Sequence, residues 1–381
     1  MEASKLRNII IDLDYDSNKL TTEMLSTLVS NINSNQTAEI TTNLEKIKSS
    51  FKKSIVNGYT PSNFQILESI GALDYFGQTG LNKIEAILNE NSYDIQKTVS
   101  DLNAYVENRN KFVSLIKSTD LNLDSLNIDA HFYGDNTFEI GLLMPEELTG
   151  NKIVNITKEL NRWDKIFKTL KELIGNSPDD TEIDFINNGS HQFFIENGPQ
   201  IATFLAITLE RIVKLYKNII DIRAAKDKLK ELGVSKSEQK NVDKQEKEFF
   251  NKEIDKISLD LVKEFAVKEI ETGRINELKI SMKGHVLYIA KSIDKGLTIE
   301  INPPEITAPA LSKDTDSEDK KAETKELRSN YERTLKQIEI VQKSMDVVKT
   351  IGKTGVDLVK LITSSEEGTD EAAADEEETA E

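Results

Sequence analysis

The chain has 381 residues, of which 30% are charged and 38% hydrophobic, with no cysteine and a formal charge of −17. Without thiols, disulfides, zinc-thiolate sites and cysteine catalysis are excluded. Nine acidic residues and no basic one lie between Ser364 and Glu381, leaving about −8 on the rest, which argues against whole-protein attraction to nucleic acid.

From residue 17 to about 120 the pattern predicts helices at Thr21–Ile32, Thr37–Val56, Pro61–Gly71, Leu81–Asn89 and Tyr93–Ser118. Pro61 after Thr60 suits a first helical position, and Asn91 or Ser92 can cap the last helix. Residues 1–122 are therefore expected to form a helical bundle. Met1–Asp16 has only the short apolar run Ile9–Ile11, too little for a signal-peptide core. No segment reaches the ~18 apolar residues of a membrane span, so a cytoplasmic protein without a transmembrane segment is expected.

Next come alternating runs. Ile128, Ala130 and Phe132, a turn at Gly134-Asp135-Asn136, and Phe138, Ile140, Leu142 and Met144 predict a hairpin. A helix follows, with Ile153, Ile156, Leu160, Trp163, Phe167, Leu170 and Ile174 on one stripe, ending at Gly175. The pattern then repeats: Ile183 and Phe185, a turn at Asn187-Asn188-Gly189, Phe193 and Ile195, then a helix from Pro199 to about Leu232. Gly134, Phe138 and Ile140 precede Gly189, Phe193 and Ile195 by 55 residues, which suggests a ββα-ββα core. The start of the second helix, Ile201–Leu209, is apolar on nearly every side and should be buried all round.

A third hairpin is predicted at His285–Ser292 and Leu297–Ile301 across Asp294-Lys295-Gly296. The fold class is thus α+β, predominantly helical, with 123–302 as the central domain and a proline-containing linker at 303–322. An isolated amphipathic helix (323–363), striped by Leu327, Tyr331, Ile338, Val341, Met345 and Val348, and a disordered acidic tail (364–381) complete the chain.

Ile9-Ile10-Ile11-Asp12-Leu13-Asp14 resembles the first motif of haloacid-dehalogenase-type phosphatases. That resemblance implies a strand ending in a carboxylate nucleophile, a second carboxylate handling the proton, and magnesium. Asp12, Asp14, Asp16 and Glu23 also match four positions of a calcium loop, but Ser17 stands where the loop needs glycine. Gly352-Lys353-Thr354 has Val347 in place of a phosphate loop's first glycine. His131, His191 and His285 are scattered, and no acid-base-metal constellation is legible; no cofactor and no small-molecule substrate are expected.

Between Glu210 and Lys236 there are eight basic and four acidic residues. With the cations that lie off the stripe of the preceding helix, this gives a candidate interaction surface. It comprises Lys158, Arg162, Lys165, Lys168, Arg211, Lys214, Lys217, Arg223, Lys226, Lys228 and Lys230, with Leu327, Tyr331, Ile338, Met345 and Val348 of the terminal helix. The function expected is non-enzymatic: an adaptor or assembly subunit that meets a protein partner or itself, by coiled-coil-like packing. The Asn-, Ile- and Lys-rich composition suits a bacterial or phage multi-component system. The alternatives are a nucleic-acid-associated protein whose basic helix is regulated by the acidic tail, and, more remotely, the magnesium phosphatase.

Overall fold

A computed structural model describes residues 3–90, 94–131, 137–187, 191–231, 236–304, 306, 308 and 318–353. The chain divides into two units, Met1–Phe132 and Tyr133–Glu381.

The first unit is helical: α1 (Ala3–Lys19), α2 (Thr22–Asn33), α3 (Thr37–Lys52), a 3-10 turn (Ile55–Gly58), α4 (Pro61–Ser69), α5 (Gly77–Glu90) and α6 (Ile95–Ser125). Thr21 caps α2 by accepting from Met24 N–H, and Pro61 opens α4. The cap of α6 is Asp94, which accepts from Lys97 N–H at 2.9 Å; Asn91 and Ser92 lie outside the described residues. Ile9, Ile10 and Leu13 are buried at helical spacing while Ile11 faces water, so the isoleucine run belongs to α1. The strand that the phosphatase resemblance implies is absent there.

The second unit contains β1 (Phe138–Met144), α7 (Glu146–Thr149), α8 (Ile153–Leu173), β2 (Phe185–Asn187), β3 (His191–Asn197), α9 (Pro199–Glu231), α10 (Lys236–Phe265), α11 (Thr272–Asp294), β4 (Thr298–Asn302) and α12 (Glu318–Lys353). Its strands form one antiparallel sheet in the order β2-β3-β1-β4. Ile140 stands opposite Ile195 on one side and Ile301 on the other, so the alternate residues of three strands make one apolar face. Side chains from α8 to α12 join that face in a single core that includes Trp163, Phe167, Leu205, Leu209, Leu261, Val286 and Val341. Ile201–Leu209 is buried on almost every side, as its composition requires; no described helix is long and apolar enough to cross a membrane.

Three expectations are corrected. Ile128–His131 is not a strand: Asn127, in the left-handed region, ends α6, and Ile128 N–H donates to Leu123 O. Phe132 and the proposed turn lie outside the described residues. His285–Ser292 is helical, because Leu278, Met282, Val286 and Ile289 form a buried stripe of period 3–4 that outweighs the alternation. Gly296, with φ +91°, terminates α11 instead of turning a hairpin, as Leu297 N–H donates to Ser292 O. The centre is therefore not ββα-ββα; β1 pairs with β3 and β4, both distant in sequence.

The terminal helix is not isolated either. It begins at Glu318 and lies along α9, burying Thr334, Val341, Ser344 and Met345. Residues beyond 353, including the acidic tail, lie outside those described.

Candidate interaction surface

The basic residues of α9 are largely committed within the unit. Arg223 Nε donates to Glu246 Oε1 at 2.8 Å, and Arg211 pairs with Glu264, so both arginines tie α9 to α10. Lys214 pairs with Glu210 one turn earlier. Lys217 and Lys226 also have interactions of their own, and Lys228 is exposed. The Lys230 side chain lies outside the described residues. No sequence pattern marked Glu246 and Glu264, since helix pairing fixed them as partners.

On α8 the cations differ. Lys168 bridges Asp164 at 2.8 Å and Asp180 at 2.7 Å, which raises its pKa through those two hydrogen bonds. Lys158, Arg162 and Lys165 are exposed and stand four and three residues apart, on one side of the helix. Arg162 lies over the Tyr288 ring at 5.1 Å, while the Tyr288 hydroxyl donates to Glu159, whose carboxyl is pushed up by burial. The apolar stripe of α8 is buried from Trp163 onward, but its first turn is not: Ile153 is 81% and Val154 64% exposed.

On α12, Met345 is in the core, Ile338 and Val348 pack against it, Tyr331 is half-buried, and Leu327 is 51% exposed. The predicted stripe thus faces mainly inward, with only its first part left to solvent.

The three N-terminal aspartates point to separate partners. Tyr59 donates to Asp12 at 2.7 Å, Lys117 lies 3.7 Å from Asp14, and Asp16 accepts from the Ser54 hydroxyl and Ile55 N–H. As successive even positions of a helix they do not converge as calcium would require. His285 is hydrogen-bonded to Thr169 at 3.0 Å and His191 to Asn151 at 3.1 Å, on different elements.

No protein-family model, curated protein or solved structure matches the chain.

Proposed function

We propose that this protein is a non-enzymatic adaptor or assembly subunit of a bacterial or phage multi-component system, which meets a protein partner through the first turn of α8. The supporting observation is the exposure of Ile153 and its neighbour Val154 at the head of a stripe that is partly buried at Ile156 and Leu160 and core at Trp163, Phe167 and Leu170. Burying two β-branched side chains in an interface would recover roughly 1.5–3 kcal/mol each. Lys158, exposed one turn beyond Val154, would lie at the polar rim of such a contact.

Because the chain lacks cysteine, Val154→Cys introduces a unique thiol. Its labelling rate in the pure protein is expected to exceed that in extract of the native host, with the faster rate restored in extract by adding Ile153→Glu. A monomer at all concentrations whose Cys label reacts equally fast in both settings refutes the reading.

A nucleic-acid role is supported by the exposed Lys158–Arg162–Lys165 row rather than by α9. Filter binding over graded salt tests it: Lys158→Ala with Lys165→Ala should lower the salt slope by about 0.9 per lost phosphate contact. Binding that is absent, or unchanged by the double variant, removes this alternative.

A further inference from the structure

Arg109, on α6 of the first unit, is 1% exposed. Among the described residues its Nε and Nη2 have no hydrogen-bond partner, and no carboxylate there raises its pKa, while burial lowers it. What the guanidinium meets is the Phe76 ring, whose centre lies 5.6 Å from Cζ. One turn earlier on α6, Tyr105 is also buried, and its hydroxyl is likewise unmatched among the described residues. A guanidinium cannot discard its charge by losing a proton. Buried without a counter-ion, it works against the packed arrangement that encloses it.

The cover is residues 72–76, a strap between α4 and α5. Tyr105, Arg109 and Phe112 stand four and three residues apart on one face of α6, and the strap lies across that face. Between ring centres, Tyr75 is 5.8 Å from Tyr105 and 5.3 Å from Phe112, and Phe76 is 6.2 Å from Phe112. At either end of the strap stands a glycine in the left-handed region, Gly71 with φ +72° and Gly77 with φ +59°. Glycine turns there at no steric cost, which makes the pair natural pivots. The hydrogen bonds that cross them are local, Ala72 N–H to Leu67 O at 2.9 Å and Gly80 N–H to Phe76 O at 3.1 Å.

Lifting the strap takes Tyr75 and Phe76 out of apolar contact and brings the guanidinium into water. Relief of one buried, unpaired ion is comparable in size with the loss of one or two buried aromatic side chains. The opposing effects nearly cancel, and a small difference leaves a second state within thermal reach.

We propose that residues 72–76 are a gate that swings about Gly71 and Gly77 while the helices stay folded, exposing Arg109 when open. In the closed state the guanidinium has almost no surface to offer. The gate therefore decides when this cation is presented.

The test is native-state hydrogen exchange of the full chain over graded, sub-denaturing urea. The Ala72 and Gly80 amides, whose bonds cross the two pivots, should exchange through an opening with a weaker urea dependence than amides in the centre of α2. Arg109→Met keeps an unbranched side chain and removes the charge. It should slow exchange at Ala72 and Gly80 about tenfold or more and raise the melting temperature, because the closed state no longer encloses an ion. Two results would each overturn the proposal. One, read in the wild type alone, is exchange of Ala72 and Gly80 with the same urea dependence as α2, which leaves no opening short of unfolding. The other is faster exchange, a lower melting temperature or failure to fold in Arg109→Met, any of which makes the arginine a support of the closed state.

Discussion

Ser344 donates its hydroxyl to a Glu210 carboxylate oxygen at 2.6 Å, which pins α12 to the middle of α9. Burial pushes the Glu210 carboxyl up, but the hydrogen bonds from Lys214 and Ser344 and the charges of Lys214 and Lys343 outweigh it and hold it below its usual range. Ser344→Ala is expected to cost about 1–2 kcal/mol in urea unfolding. Val341→Ala, in the adjoining core, should cost about 2 kcal/mol with the same m-value. Loss of the whole helix should therefore destabilise the second unit, and unchanged unfolding after either substitution would show that α12 does not belong to its core.

His285 gives the second unit a pH signature. Burial, and then the charge of Lys165, lower its pKa from 6.5 to about 4. The Thr169 hydroxyl is spent on the Lys165 carbonyl, so Nε2 of a neutral His285 is the donor to Thr169. Above pH 6.5 the ring is neutral in both folded and unfolded chains and contributes no slope. Between 6.5 and 4 the unfolded chain takes the proton first, and stability should fall by on the order of 2–3 kcal/mol as pH falls. Unfolding midpoints of wild type and His285→Gln across this window should diverge, with the variant showing the shallower loss.

Gly141 sits in β1 between Phe194 and Glu300 of the flanking strands. A Cβ there would come within 2.6 Å of Glu300 Cγ and 2.9 Å of Phe194 Cε1. Phe194 cannot yield easily, because its ring is stacked on Phe185 at 4.3 Å. Gly141→Ala should cost about 2 kcal/mol, read as a lowered urea midpoint.

In the first unit, Arg7 draws the end of α6 to α1, donating to the Ile128 carbonyl at 2.6 Å, to Asp124 at 2.6 Å and to Asp120 at 3.3 Å. Its neighbour Asn8 donates to the His131 carbonyl at 3.0 Å, and His131 N–H returns to Ser4 O. Arg7→Ala should speed hydrogen exchange at the His131 amide relative to amides in the centre of α6. Lysine at this position should rescue little, because a point charge cannot serve three acceptors in a fixed fork.

Much of the secondary structure was legible because local chemistry decides it. The period of Trp163, Phe167 and Leu170, proline at the head of α4, and glycine at the end of α8 are short-range signals that each specify one local conformation. The misreadings share a cause: alternation and glycine carry two meanings. Val286, Tyr288 and Ala290 alternate as a strand would, yet their helical neighbours Leu278 and Met282 complete a buried stripe, and Gly296 serves a helix end as readily as a hairpin. The candidate surface suffered more, since a run of cations looks the same whether its partners are water, phosphate or the glutamates of α10.

By itself the sequence determined a helical first unit, the apolar strand β1, the striped helices and the absence of thiol chemistry, because residue type and spacing act within a few turns. Tertiary structure alone decided the rest. It paired β1 with strands at residues 191 and 298, laid α12 along α9, and consumed Arg211 and Arg223 in ion pairs. It also laid Phe76 over the buried guanidinium of Arg109. Those contacts join residues far apart along the chain, and only the free energy of burying a shared core selects among them.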